Sequence, residues 1–212
     1  MTNSYAQRTQ YAVENIISLI KHEGDAAAEL EAKLHGKIAE SNGAHAVFMA
    51  YDLAEGVPHG LADAYFRIAA RADKDAKELQ AALEDTRKLA SEELNELQVL
   101  DVSLQALAGT LLQIAKQGIS ITYKRLDSAP DGRHLNGIPL KSIIWHARNQ
   151  AMHFEEGYNA QVKQLFRDLT REFGPEFDLN KHQGISRAKQ IVKLLGWTDC
   201  DAYARDLDSL GL

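Results

Sequence analysis

Residues 61–108, LADAYFRIAARADKDAKELQAALEDTRKLASEELNELQVLDVSLQALA, decide the fold. They contain no glycine and no proline. Ala, Leu, Glu, Lys and Gln predominate, all good helix formers. One unbroken helix of this length would run ~70 Å at about 1.5 Å per residue, long for a compact domain. The sequence therefore predicts a break near Asp73 or at Asp101-Val102-Ser103, where short polar side chains can cap a new helix. A long helical hairpin projecting from the body is the alternative.

The flanks read the same way. In residues 4–23, Val13, Ile16, Ile17 and Ile20 share one helical face. Gly24-Asp25 is expected to stop that helix and cap the next. The next, about 26–55, carries Leu30, Leu34, Ile38, Val47, Phe48 and Tyr51, with a kink expected at Asn42-Gly43 and an end at Gly56-Val57-Pro58. Leu97, Leu100, Leu104, Leu107, Leu111 and Ile114 alternate spacings of three and four, a seam for a neighbouring helix, and Gly118 is the expected C-cap. Residues 119–123 allow a short extended piece, and 128–139 are turn chemistry throughout. Pro139 suits the first position of a helix running from about 140 toward 173, broken near Gly157 and stopped by Gly174-Pro175. Two short helices follow near 184–195 and 199–209, the latter with Thr198 and Asp201 in a capping-box pattern. The expected fold is all-α, an up-and-down bundle of long helices in one domain of 212 residues. Its parts are an acidic scaffold (1–118), a loop (119–139), a motif region (140–174) and short C-terminal helices (175–212).

With 45% apolar and 25% charged residues, the composition is that of a globular chain able to bury a core. No window holds eighteen uncharged apolar residues, so no membrane span is expected. The start, MTNSYAQRTQYAVEN, lacks the basic and apolar regions of a signal peptide. Cys200 stands alone, which excludes a disulfide framework or cysteine-ligated zinc within one chain and makes a reducing cytoplasm the expected setting. The net charge of −6 argues against constitutive nucleic-acid binding, but it is unevenly spread. Residues 1–118 hold 11 basic and 18 acidic side chains, whereas 119–197 hold 12 basic and 8 acidic.

Phosphate-loop, dinucleotide, zincin, EF-hand and nucleophile-elbow motifs are all missing. The unusual segment is Ile143-Ile-Trp-His-Ala-Arg-Asn-Gln-Ala-Met-His-Phe-Glu-Glu156. On a helix, His146, Asn149, Gln150, His153 and Glu156 form a continuous polar stripe, and Arg148 flanks it. Ile144, Ala147, Ala151 and Phe154 remain for the core. Surface helices usually spend their polar face on Lys and Glu; this one offers hydrogen-bonding and titratable groups instead.

Arg148-Asn149-x-x-x-His153 resembles the Arg-x4-His motif of HEPN domains, in the form with a polar residue straight after the arginine. The resemblance implies an α-helical bundle that dimerises and brings two motifs into one cleft. Many such domains are metal-independent endoribonucleases of toxin, phage-defence and RNA-processing systems; others are non-catalytic. In toxins paired with nucleotidyltransferase antitoxins the motif often extends to Arg-x4-His-x-Tyr. Here that last position is Glu155, with Tyr158 three residues on, so this chain departs from that subgroup.

The chemistry of the residues agrees with that resemblance. RNA carries its own 2′-hydroxyl nucleophile, so cleavage needs proton transfer and charge stabilisation at phosphorus. His153 can act as acid or base near neutral pH, Arg148 can bind phosphate oxygens, and Asn149 can hydrogen-bond either the imidazole or the phosphate. Glu156 can orient a ring nitrogen of His153, and His146 supports the same face. Lys124, Arg125, Arg133, His134 and Lys141 are the expected RNA path. One Arg and one His are a sparse set, which predicts a homodimer with the cleft on its axis. No metal or cofactor is expected, and an antitoxin or regulatory protein is an expected partner. The competing reading is a non-catalytic helical interaction module. A ferritin-like metal enzyme fits poorly, because His153-x-x-Glu156 is reversed and Glu31-x-x-x-His35 is misspaced.

Overall fold

The structure, a computed structural model, describes residues 4–52 and 62–212; for 37–52, 62–87, 89 and 90 it describes the helical backbone alone. Among these residues the chain is all-α, with six helices: α1 (Tyr5–Asp52), α2 (Ala62–Tyr123), α3 (Leu140–Met152), α4 (Ala160–Phe173), α5 (Ala188–Leu195) and α6 (Cys200–Ser209). Two short 3-10 turns, Leu126–Ser128 and Pro175–Phe177, and a hairpin of β1 (His134–Leu135) with β2 (Ile138–Pro139) complete it.

The long helices correct the sequence reading. α1 is interrupted neither at Gly24 nor at Asn42-Gly43. One glycine inside a helix costs about 1 kcal/mol relative to alanine, which a run of good helix formers on both sides offsets. The expected end at Gly56-Val57-Pro58 lies outside the described residues. α2 likewise passes through Asp73 and Asp101-Val102-Ser103 and extends to Tyr123, so residues 119–123 are helical rather than extended. Gly118 is not its cap. A Cβ built there would lie 2.7 Å from the Tyr5 ring, so the glycine admits Tyr5 against the helix. Lys124 ends α2 instead, with φ 62 and its N–H donating to the Ser120 carbonyl at 3.0 Å.

The chain divides into two compact units, Met1–Gly24 with Asp101–Leu212, and Asp25–Leu100. The second consists of the later part of α1 and the earlier part of α2. There Leu30 is buried, Lys33 pairs with Glu29 at 2.8 Å, and Lys33 also lies in the field of Glu93 and Glu96 across on α2. The acidic excess of residues 1–118 lies in unit 2. Unit 2 holds 8 basic and 15 acidic side chains, while unit 1 holds 16 and 15.

Unit 1 contains the main core. Val13 and Ile17 of α1 are buried, with Ile16 and Ile20 packed at its edge. Ala108, Leu111, Leu112, Ala115 and Ile119 of α2 join Leu140, Ile143 and Ile144 of α3, Phe166 and Leu169 of α4, Ile191 of α5 and Leu207 of α6. At Gly109 α2 faces α3 and α5: a Cβ there would make ordinary contact, 3.7 Å from that of Ala151 and 4.0 Å from that of Ala188. Within Ser91–Tyr123 an 18-residue window reaches a mean hydropathy of 1.3, which by length and composition is apolar enough to cross a bilayer. The five α2 core residues named above belong to that stretch and pack inside unit 1.

The continuous helix expected over 140–173 is two helices. α3 stops at Met152, α4 starts at Ala160, and Asn159 caps α4 by accepting from the Val162 N–H at 2.9 Å. Pro139 is the residue before α3 rather than its first. Asp199, not Thr198, caps α6, accepting from the Ala202 N–H at 2.7 Å. In the loop, Asn136-Gly137 turns the hairpin with both residues at positive φ, 47 and 84, as a tight two-residue turn requires.

Candidate active site

The polar stripe of the motif helix separates into an inner and an outer part. His146 is buried and the Gln150 side chain is wholly so, a correction to the expected solvent-facing stripe. Gln150 is satisfied in the core. Its amide nitrogen donates to the Ile185 carbonyl at 2.9 Å and the Tyr158 hydroxyl at 3.2 Å, and its oxygen accepts from the Arg187 N–H at 2.9 Å. It thus ties α3 to the start of α5. Burial holds the His146 imidazole below the ordinary histidine value, and its Nδ1 is buried without a hydrogen-bond partner. Ile144, Ala147 and Ala151 are in the core as expected, whereas Phe154, beyond the helix end, is only half-buried.

Arg148 and Asn149 stay at the half-buried boundary. Arg148 Nε donates to Gln113 Oε1 on α2, Gln113 Nε2 donates to Gln117 Oε1 at 3.2 Å, and Arg148 Nη1 donates to Asn149 Oδ1 at 3.3 Å. Among the described residues no carboxylate pairs with Arg148. His153, half exposed, is the residue that ends α3, and its Nδ1 lies 3.1 Å from Glu156 Oε2. This matches the orienting contact read from the sequence, made in a turn rather than along a helix. Asn149, His153 and Glu156, with Gly157, Tyr158, Asn159 and Val162, line a depression of about 330 Å³. Across the Gly157-Tyr158 turn, a cleft of about 600 Å³ lies against α4, walled by Phe154, Tyr158, Lys163, Phe166 and Arg167 among others.

Two residues outside the motif belong to this site and were missed. Gln113 fixes the guanidinium, and the Lys116 ammonium lies 4.5 Å from the centroid of the Trp145 ring. Burial, and next the Arg148 charge, push the Lys116 pKa down. A signal existed in the sequence: within residues 97–123 only Asp101 and Lys116 are charged.

The expected RNA path fares unevenly. Arg133 makes a two-pronged ion pair with Asp206 of α6, at 2.5 and 2.9 Å, and also donates to the Leu195 carbonyl at 2.7 Å. Asp206 is buried and also accepts from the Trp197 indole at 2.8 Å. Lys141 donates to the Ala129 carbonyl at 2.7 Å and pairs with Asp131 at 2.9 Å. These contacts tie the 129–141 loop to α6 and to the start of α3, while the Arg133 side chain stays 42% exposed. His134 lies 3.7 Å from Asp131. Lys124 and Arg125 are exposed after α2, with Arg125 3.6 Å from Asp127. Cys200 opens α6, and burial raises its thiol pKa, the reverse of an activated nucleophile. Among the described residues, no three His, Cys, Asp or Glu side chains are grouped to hold a metal ion. Comparison with protein-family models, curated proteins and solved structures finds no match.

Proposed function

We propose that this chain is an endoribonuclease of the HEPN type, cleaving RNA without a metal at a site shared between two copies. The observation that carries this reading is the grouping of Arg148, Asn149 and His153 at the end of α3, with no carboxylate among the described residues on the guanidinium fork. In the step proposed, the 2′-hydroxyl gives its proton to a neutral His153 imidazole and its oxygen bonds to phosphorus. The bond from phosphorus to the 5′-oxygen breaks, and the leaving oxygen takes a proton from the protonated His153 of the second copy. Arg148 stabilises the charge developing on the phosphoryl oxygens. The products are a 2′,3′-cyclic phosphate and a 5′-hydroxyl. Met152, half exposed beside His153, and exposed Ile121 at the end of α2 offer apolar contacts for the second copy. The lone, unactivated Cys200 fits a reducing cytoplasm, where such an enzyme would serve as a toxin or phage-defence effector restrained by an antitoxin or regulatory protein.

The test is cleavage of several single-stranded RNAs at low salt with EDTA present, with the termini mapped. Wild type is expected to leave cyclic-phosphate ends, and His153→Ala and Arg148→Ala to lose about 10²–10⁴-fold in rate. No cleavage by wild type on any of these RNAs would favour the non-catalytic interaction module instead.

A further inference from the structure

We propose that Lys116 and Arg148 form one phosphodiester-binding site across α2 and α3, with the Trp145 ring as the platform that holds the lysine in place. This assignment rests on the ribonuclease reading for the identity of the phosphate, and it adds a second cation from outside the motif.

Lys116 stands 4.5 Å from the Trp145 centroid, a cation–π contact that holds the ammonium in place without neutralising it. Arg148 is held by Gln113, three residues before Lys116 on the same helix, and by Asn149. Both contacts are to neutral amides. The Gln113–Arg148 and Lys116–Trp145 contacts lie three residues apart on both helices, so the two cations share one surface across α2 and α3, and among the described residues neither has a carboxylate partner. Arg133, Lys141, Arg171 and Lys189 of the same unit, by contrast, each pair with a carboxylate. Paired like charges without a counterion repel, and an anion between them relieves the repulsion while receiving a charge-assisted hydrogen bond from each. Asn149 also lines the His153 depression, so a phosphate held here lies next to the proton-transfer group.

Two measurements on the full chain test this. In the first, inorganic phosphate is titrated at constant ionic strength while tryptophan fluorescence is followed; Trp145 is half-buried and Trp197 is buried as a constant background. A saturable change is expected for wild type, His153→Ala and Lys116→Arg, and its loss for Lys116→Gln. No change in wild type, or an equal change in Lys116→Gln, overturns the site. In the second, anisotropy of a fluorescein-labelled single-stranded RNA is measured against salt on the His153→Ala protein. Adding Lys116→Gln is expected to reduce the slope of log affinity against log salt by about 0.7, one phosphate contact. An unchanged slope overturns the proposal, and Lys116→Arg, which keeps the charge, separates charge loss from misfolding. If wild type cleaves RNA with kcat and KM unaffected by Lys116→Gln, the site fails and the nuclease reading stands. If phosphate and RNA binding depend on Lys116 but nothing is cleaved, the nuclease reading fails and the anion site stands.

Discussion

Arg148 of α3 donates from Nε to Gln113 of α2, so the motif arginine is held by a residue 35 positions earlier in the chain. The fork is thereby set by packing between two helices rather than by its own helix. Replacing Gln113 by Leu is expected to lower cleavage about tenfold, the loss of one hydrogen bond to a charged group. Melting temperature should stay close to wild type, since the site lies at the surface. Steady-state kinetics beside a thermal melt checks this, and an activity loss that tracks a lower melting temperature would refute the positioning role.

Arg133 is expected to support the fold rather than an RNA path. Arg133→Ala leaves buried Asp206 with the Trp197 indole as its remaining side-chain donor and deprives the Leu195 carbonyl of one. The expected cost is about 3 kcal/mol, read from urea unfolding. RNA affinity, measured under conditions where the variant is folded, should be unchanged. A fall in affinity with unaltered stability would restore Arg133 to the binding surface.

Acid should weaken unit 1 through His146. Burial lowers its native pKa, so between that value and the unfolded value of about 6.5 the unfolded chain binds the proton that the folded chain refuses. Stability therefore falls as pH drops through about 6.5 toward the lowered native value, and below both values His146 adds no further slope. His146→Leu should flatten the dependence of unfolding free energy on pH over that window. An identical dependence in the variant would show that other groups set it.

Gly118→Ala should destabilise, because its Cβ would lie 2.7 Å from the Tyr5 ring and 3.2 Å from Leu212. Tyr5 has limited freedom to move aside, since its hydroxyl donates to the Ile114 carbonyl at 2.9 Å. About 1–3 kcal/mol is expected, of the order of other overpacked sites. The penalty should shrink in a Tyr5→Leu background. Equal penalties in both backgrounds would place the clash elsewhere.

The fold class was legible because it depends on local quantities. Helix formers without Gly or Pro over residues 61–108, and apolar spacings such as Val13 with Ile17, suffice to specify helices and their buried faces. Helix ends were less legible. Gly24 and Gly118 look like stops in sequence, yet α1 and α2 pass through them; at Gly118 the explanation is a tyrosine 113 residues away. Asn136-Gly137 was read only as turn chemistry, although that dipeptide is itself a hairpin signal.

By itself, then, the sequence determined that the chain is helical and that Arg148, Asn149 and His153 stand near one another, because five residues of separation on one element leave little freedom. Tertiary structure alone decided which charges are free. Arg133 and Lys141 look like a basic path in one dimension and are occupied by Asp206 and Asp131 in three. Lys116, counted in the sequence among an acidic scaffold, has no carboxylate partner among the described residues and stands on the Trp145 ring beside the motif. The physical reason is that net charge along a chain carries no information about partners: a cation is available to a ligand only where folding has brought it no carboxylate.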